Sequence, residues 1–199
     1  VSNLSGKTIE LVAVRKNGSE FPVEMRLASW LGPNGIEIGA QIHDITDRRE
    51  RELRLEHLAH HDALTGLANR NGFSKKLEAV IARGHATVFA IDLDRFKEVN
   101  DTFGHAVGDT LLQGVAVRLV GLLEPGATVA RLGGDEFAIL LPGNGAQSSA
   151  TATAKLLNDA FKEPFVLSGH RMQIGLSIGI GLAPLHAEDA EELLLRADL

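Results

Sequence analysis

Two pairs of acidic residues lie beside apolar segments and have the composition of a metal site. Asp135 and Glu136 follow two glycines in RLGGDEFAIL, and Asp92 and Asp94 end the apolar segment ATVFAIDLD. A rigid strand that ends in a carboxylate is a common way to hold a metal ion. Solvated turn residues ahead of a helix are an equally good interpretation of Asp92 and Asp94 taken alone.

The glycine pair predicts how the chain presents Asp135 and Glu136. Gly133 and Gly134 suit a two-residue hairpin turn with positive φ, which puts Asp135 just beyond the tip and Glu136 on the outgoing strand. If this hairpin lies beside the strand that ends at Asp92, three carboxylates converge and their repulsion calls for cations. Mg²⁺ favours such oxygen ligands together with substrate phosphates. A pair of these ions can activate a hydroxyl and stabilise a leaving pyrophosphate.

Candidate contacts for a nucleotide follow Asp92 and Asp94 in the chain. Neither GxxxxGK[ST] nor, around Gly143, GxGxxG is present. The segment DRFKEVND instead predicts a helix start just after Asp94, where main-chain N–H groups and Lys97 can meet a phosphate. From the residues alone, a turn residue at Asn100 and an N-cap at Asp109 are the favoured interpretations. Both side chains can also recognise a guanine edge, Asp at N1–H and N2–H₂ and Asn at O6 or N3.

The elements that must position these residues alternate along the chain. Apolar spacing predicts three helices and five strands. The helices are 70–83, 106–123 and 146–162, and the strands are 86–93, 128–132, 136–141, 164–167 and 171–182. Their core order, βαββαβ, predicts an α+β fold of the ferredoxin-like or palm type, with an antiparallel sheet flanked by helices.

The first part of the chain, up to about Asp47, has a different pattern. Three segments of alternating character, TIELVAVRK, SEFPVEMRLASW and GIEIGAQIHDI, are separated by the turn signals NGS and GPNG and predict three antiparallel strands. So small a sheet buries little by itself, so we expect the end of a larger domain or a sheet packed on a partner.

A charged helix is predicted after these strands, with Thr46 or Asp47 as its N-cap. The segment TDRRERELRLEHLAHHD carries only a thin apolar stripe. This stripe suits either a short coiled coil with a second copy of the chain or a solvated connector helix.

Composition limits the classes of function. With 26 acidic against 20 basic residues and a net charge of -6, the 199-residue chain is not an obvious electrostatic nucleic-acid binder. The absence of cysteine excludes disulfides and thiolate metal sites and is compatible with the cytoplasm. The longest apolar stretch, LLQGVAVRLVGLL, is too short to span a bilayer. We expect a cytoplasmic piece of a longer protein, whose other parts are free to attach to a membrane.

Four segments together resemble one family. DALTGLANR, DLDRFKEVNDTFGHAVGD, RLGGDEFAIL and SIGIGLAP occur in the order and spacing of GGDEF domains, the diguanylate cyclases. Separately, RKNGSEFPVEMRLASW followed by IHDITDRRERE resembles the last strands and exit of a PAS sensor domain. The resemblances predict three regions: the end of a PAS domain (1–47), a helical signalling linker (48–61) and a C-terminally truncated GGDEF domain (62–199).

The GGDEF resemblance implies a reaction and a metal site. Two GTP molecules condense to cyclic di-GMP with release of pyrophosphate, and each subunit of a homodimer holds one GTP. Asp92 and Asp135 correspond to metal-bridging carboxylates, Glu136 to a further ligand and Leu93 to a carbonyl ligand. The implied cofactor is two Mg²⁺ per active site, with Mn²⁺ possible. Asp135, or a hydroxide held by the metal beside it, would help to remove the proton of the attacking hydroxyl, so Asp135 and Glu136 are the predicted catalytic residues.

The same resemblance implies the substrate contacts. Phe96 and Lys97 correspond to phosphate contacts, while Asn100 and Asp109 correspond to the guanine-reading residues. Asp109 argues against the minority of the family that accepts ATP, in which a smaller residue is usual here.

Two departures from the family pattern bear on activity. Glu124 and Ala127 replace the charged residues of the RxxD product site, so product inhibition through it is not expected. The basic segment that normally follows RADL lies beyond Leu199, so we expect weak GTP binding by this piece alone.

The favoured hypothesis is a diguanylate cyclase that a PAS domain regulates, dimeric through its GGDEF and PAS/linker regions. One alternative is a non-catalytic GTP-binding module that controls an attached phosphodiesterase (EAL) domain. A product-sensing effector is the least favoured, because the RxxD residues are missing. No nucleic-acid partner is expected.

Overall fold

The computed structural model describes residues 8–33, 35–143, 147–167 and 169–198. The chain divides into two compact units, Val1–His57 and Leu58–Leu199. The strands are β1 (Thr8–Val14), β2 (Glu20–Gly32), β3 (Gly35–Asp44), β4 (Ala86–Leu93), β5 (Thr128–Gly133), β6 (Glu136–Pro142), β7 (Phe165–Leu167), β8 (His170–Met172) and β9 (Leu176–Ala183). The helices are α1 (Thr46–His60), α2 (Arg70–Ile81), α3 (Phe96–Phe103), α4 (His105–Leu122), α5 (Gln147–Ala160) and α6 (Ala190–Ala197). Across these described ranges, no helix is long and apolar enough to cross a membrane.

The first unit contains the three antiparallel strands that the sequence predicts, in the order β1-β2-β3. Large apolar side chains on this sheet remain exposed, among them Leu31, Ile36 and Ile38. Leu31 pairs directly with Ile36, and residues two apart on a strand share a face, so these side chains form one apolar surface. The sheet buries Val23 but leaves most of its large apolar side chains exposed, in agreement with the small core expected of so few strands.

Helix α1 begins at Thr46, so Thr46 and Asp47 are its first two residues and the predicted N-cap was wrong by one to two residues. The Asp44 carboxylate accepts hydrogen bonds from the Thr46 hydroxyl and main-chain N–H. These bonds, with that from Arg15, lower the pKa of Asp44 to about 2. The cap therefore comes from the last residue of β3. No residue of α1 is buried, and its leucines, Leu53, Leu55 and Leu58, are exposed.

The second unit has the predicted ferredoxin-like arrangement. Its four-stranded sheet has the order β5-β6-β4-β9, with every neighbouring pair antiparallel. One face packs on a core that includes residues of α4 and α5, and the other packs on residues of α2 and α6. Both faces of the sheet are covered, so the inner strand β4 is apolar almost throughout. Its one exposed residue is Asp92.

One predicted strand, 171–182, is in fact two. Residues up to Met172 pair with β7 in a separate two-stranded sheet, and the ladder with β4 starts only at Leu176. Between them the chain passes close to Asp94: the Gly175 carbonyl accepts from the Asp94 N–H (3.0 Å), and a Cβ at Gly175 would collide with the Asp94 carboxylate. Apolar alternation continues through this break, so the sequence pattern did not reveal it.

Candidate active site

The β4–β6 ladder places two of the predicted metal ligands opposite each other. Asp92 pairs with Glu136, and both continue the face of the sheet that Ala90 and Ala138 turn toward α2 and α6. A cleft on this face is lined by both carboxylates, by Arg70 and by residues of α6. Leu93, the predicted carbonyl ligand, has a side chain buried on the other face.

The glycine pair forms the turn that carries the third carboxylate. Gly133 (φ 152°) and Gly134 (φ 51°) both adopt positive φ, as predicted. The ladder shifts between Arg131 and Gly133, however, and Gly133 then pairs with Glu136. The two loop residues are therefore Gly134 and Asp135, so Asp135 lies in the turn itself and not beyond it.

The carboxylates at this end of the sheet repel one another. The pKa of Asp92 is raised, first by burial and then by the negative charges of Asp135, Glu136 and Asp94. Within the described part of the chain, no three or more His, Asp or Glu side chains are grouped so that they would hold a metal ion by themselves. Mg²⁺ often binds through one or two carboxylates plus substrate phosphates, so the oxygen donors present fit such an ion without a finished cage.

Asp94, the second acid at the end of β4, is held by the protein itself. Its carboxylate accepts a hydrogen bond from the Ser177 hydroxyl on the neighbouring strand (2.7 Å). Together with the contact at Gly175, this bond fixes Asp94 as a structural residue of the strand end. The turn-residue interpretation therefore suits Asp94 and not Asp92.

A guanidinium that the sequence analysis did not single out holds the turn. Arg131 on β5 donates from Nε and Nη2 to the Gly134 carbonyl (3.0 and 2.8 Å) and from Nη1 to the two Asp62 oxygens (3.1 and 3.2 Å). Both side chains are largely buried, with 13% and 21% of their surfaces exposed. Asp62 follows α1 in the chain, so this ion pair connects the start of the GGDEF-like segment to the turn that carries Asp135.

Hydrogen bonds keep the Asp62 carboxylate ionised. Burial opposes ionisation, but bonds from the Thr65 hydroxyl and N–H and from Arg131 outweigh it, so the pKa of Asp62 lies below its ordinary value. The Thr65 contacts to Asp62 Oδ1 are 2.7 and 2.9 Å long. The DALTGLANR segment therefore has an electrostatic role within the fold.

The predicted phosphate contacts lie at the start of α3. The Phe96 side chain is buried in the core, so only the main chain of this residue can contact a phosphate. Lys97 is exposed. Arg95, just before the helix, has a positive φ of 60°, and its side chain makes no capping hydrogen bond to the first turn. The unusual backbone at Arg95 turns the chain sharply from β4 into the helix.

The predicted guanine-reading residues lie on neighbouring helices that meet at Gly108. A Cβ at position 108 would collide with Asn100 Oδ1 and lie 3.3 Å from the Phe96 ring. Gly108 directly precedes Asp109, so the Asn100 side chain lies against the backbone beside Asp109. Sequence reasoning missed Gly108, because a glycine within a helix gives no sign of what packs against it.

The GGDEF resemblance implies that Asn100 and Asp109 read the guanine of GTP. On that assignment, Gly108→Ala is expected to raise KM for GTP about tenfold or more, because the added methyl displaces the Asn100 amide from its position beside Asp109. Steady-state kinetics at saturating Mg²⁺ measures this change. Gly121→Ala, in the same helix, is the matched control, since a Cβ there meets nothing within 4 Å. An unchanged KM in Gly108→Ala, with the fold intact, would mean that Asn100 does not bind the base.

The residues in place of the RxxD product site form a short turn between α4 and β5. The N–H of Ala127 donates to the Glu124 carbonyl (3.2 Å). The absence of product inhibition through this segment stays a prediction.

Comparison with known proteins assigns the family. Residues 59–199 match the family described as diguanylate cyclase, GGDEF domain. The chain therefore belongs to the GGDEF family. The probable diguanylate cyclase DgcE of Escherichia coli is 36% identical over 192 residues, covering 92% of this chain and 17% of DgcE. The cyclic di-GMP phosphodiesterase PdeR of E. coli is 37% identical over 175 residues, covering 85% of this chain and 26% of PdeR.

A solved structure agrees with the fold. A form of TpbB from Pseudomonas aeruginosa that comprises only the GGDEF domain superposes with a TM-score of 0.67 and 43% sequence identity, covering 70% of this chain and 84% of that one. The chain thus covers 84% of this solved GGDEF domain but about a quarter or less of the length of the two curated relatives.

Proposed function

We propose that this chain contains the catalytic domain of a diguanylate cyclase, which condenses two GTP molecules to cyclic di-GMP. The observation that carries the proposal is the position of Asp92, Asp135 and Glu136 at one end of the sheet, close enough for Asp135 and Glu136 to raise the pKa of Asp92. Membership of the GGDEF family and similarity to a probable diguanylate cyclase support the same reaction.

The proposed reaction needs a base at the attacking hydroxyl. The 3′-oxygen of one GTP forms a bond to the α-phosphorus of the other, the bond from that phosphorus to pyrophosphate breaks, and the 3′-hydroxyl loses its proton. We assign the removal of this proton to Asp135, which the turn holds outside the sheet and which Arg131 fixes through Gly134. The second GTP comes from a second subunit, so the active form is a homodimer.

We assign a divalent metal site to the same carboxylates. Asp92, Asp135, Glu136 and the Leu93 carbonyl would hold two Mg²⁺ ions, or Mn²⁺ in their place, because all the donors are oxygens. Bound cations would offset both the repulsion at Asp92 and the charge that develops on the phosphate oxygens.

Nucleotide binding is assigned to α3 and α4. Lys97 and the main chain at Phe96 face the phosphates in this proposal, and Asn100 and Asp109 bind the guanine edge. The contact between Asn100 and the backbone at Gly108 supports a common binding position for the two base-reading side chains.

We further propose that residues 1–47 are the last strands of a PAS sensor domain and that 48–61 form the signalling linker to the domain at 62–199. The exposed leucines of α1 support its pairing with a second copy of the helix. The cysteine-free sequence is compatible with the reducing cytoplasm, where we place this activity.

A regulatory role is the second candidate. PdeR, a phosphodiesterase by name, matches 85% of this chain, so a GGDEF domain of this type also occurs in a protein with the opposite activity. In that case the domain would bind GTP without consuming it and would control an attached EAL domain.

Turnover by the full-length protein distinguishes the two candidates. Incubation with GTP and Mg²⁺ is expected to yield one cyclic di-GMP for every two pyrophosphates, measured by chromatography and by a phosphate assay coupled to inorganic pyrophosphatase. GTP that binds, remains unconsumed and raises a phosphodiesterase activity would favour the regulatory role. A protein that neither binds nor consumes GTP would contradict both.

A further inference from the structure

A single arginine side chain contacts the acidic end of the sheet from α2. Arg70 Nη2 donates to Glu136 Oε2 at 3.1 Å, and both side chains are about half exposed (54% and 52%). Arg70 also lines the cleft that contains Asp92. The ion pair therefore places a positive charge beside the carboxylates at this end of the sheet.

We propose that Arg70 is a positioning residue that holds the Glu136 carboxylate and competes with the divalent cation for it. The inference rests on the metal role assigned to Glu136 above. A cation that coordinates Oε2 must share or replace the guanidinium at that oxygen, and the positive charge of Arg70 repels the incoming ion. Arg70 therefore weakens metal binding while it keeps Glu136 in place when no metal is bound.

The backbone keeps Arg70 in this position. It is the first residue of α2, and the Asn69 side chain caps the helix by accepting from Gly72 N (2.9 Å). The Asn69 amide also donates to the main-chain carbonyls of Leu58 and His61 (3.3 Å each). Contacts at both sides of the helix start thus limit how far Arg70 can move from Glu136.

The expected size of the effect follows from the exposure of the pair. Half-exposed ion pairs contribute modestly in water, and their removal changes an equilibrium constant by about two- to fivefold. Salt screens interactions of this kind, so we expect the difference between wild type and variant to shrink as ionic strength rises.

Titration of the full-length protein with Mn²⁺ tests the inference without using activity. The free Mn²⁺ signal in electron paramagnetic resonance gives the affinity for wild type, Arg70→Ala and Arg70→Lys. We expect Arg70→Ala to bind Mn²⁺ about two- to fivefold more tightly and Arg70→Lys to lie between it and wild type. Arg196→Ala is the matched control, because Arg196 pairs with Glu192 at 3.0 Å on α6 with similar exposure; its affinity should equal that of wild type.

A double-mutant cycle with Glu136→Gln separates the competition by Arg70 from the metal role of Glu136. In that background, Arg70→Ala is expected to change Mn²⁺ affinity less than it does in wild type, since the carboxylate for which Arg70 competes is gone and only the repulsion by its charge remains. Binding that depends on Glu136 but is equal or weaker in Arg70→Ala overturns the inference alone. Binding that is insensitive to Glu136→Gln, measured with and without GTP, overturns the metal role of Glu136 and the inference with it.

Discussion

Asp135→Asn is expected to lower the rate of cyclic di-GMP formation by roughly 10²–10⁴-fold, the range typical for loss of a general base. The change keeps the size of the side chain but removes its ability to accept the hydroxyl proton, and it removes one of the proposed metal ligands. The rate at saturating GTP and Mg²⁺ measures the loss.

The same variant is expected to fold as well as wild type. Asn is favoured in turns, as Asp is, and Asp135 is one of the two loop residues of the β5–β6 hairpin. Its carboxylate also repels Asp92, so neutralising it relieves a cost of the folded state. Urea denaturation should therefore give an unfolding free energy equal to or above that of wild type.

Comparing the turnover rate with the unfolding free energy separates a catalytic role of Asp135 from a structural one. Glu78→Gln, at an exposed position on α2, removes a carboxylate from the same domain and is expected to change neither rate nor stability. Near-normal turnover by Asp135→Asn would exclude this residue as the base, and a large loss of stability would mean that the turn depends on the carboxylate.

The sequence predicted the central strand of the sheet, because a strand that is buried on both faces is a continuous apolar segment. The apolar segment 86–93 predicted a strand, and the structure confirms its bounds. The predicted βαββαβ succession and antiparallel sheet are confirmed, and the glycines predicted the hairpin. Local chemistry of this kind, within one strand or turn, is readable from the sequence.

The contacts that hold the site together join residues far apart in the chain. Arg131 and Asp62 are 69 positions apart, and Arg70 and Glu136 are 66 apart. Arginine on a strand or at a helix start has many surface roles, so its residue type does not identify its partner. Pairings of this kind appear only when the register of β5 and β6 and the position of α2 are known.

The position of Asp135 shows a similar limit on a smaller scale. The sequence predicted that both glycines adopt positive φ, which is confirmed, but placed the turn one residue too early. The cause is the register shift between Arg131 and Gly133, and the Arg131 side chain bonds to Gly134 just beyond it. Because a side-chain contact fixes this register shift, the alternation of apolar and polar residues along the strands does not predict it.

Arg131→Leu is expected to destabilise the domain by about 2–3 kcal/mol, because it leaves the largely buried Asp62 carboxylate and the Gly134 carbonyl without their guanidinium partner. It should also lower turnover, since the turn that carries Asp135 loses its side-chain support. Urea denaturation at neutral pH measures the first effect. Arg83→Leu, at an exposed position after α2, is the control and should stay within about 0.5 kcal/mol of wild type.

The pH dependence of stability gives a second readout. The pKa of Asp62 in the folded protein lies below its unfolded value of about 3.9, so its contribution is complete above that pH and is lost as the pH falls through the folded pKa. Removal of Arg131 leaves only the Thr65 hydrogen bonds to counter burial. The unfolding free energy of Arg131→Leu should therefore fall less steeply than that of wild type as the pH is lowered below about 4.

Asp62→Asn completes a cycle that isolates the ion pair. In wild type this change removes a charged hydrogen-bond partner of Arg131 and should destabilise the domain. In Arg131→Leu it removes an unpaired, largely buried charge and should cost less or even stabilise, with a coupling of about 0.5–3 kcal/mol. Additive effects would show that the two side chains do not act as a pair. A coupling in stability without any loss of turnover in Arg131→Leu would mean that the contact to Gly134 does not position Asp135 for the reaction.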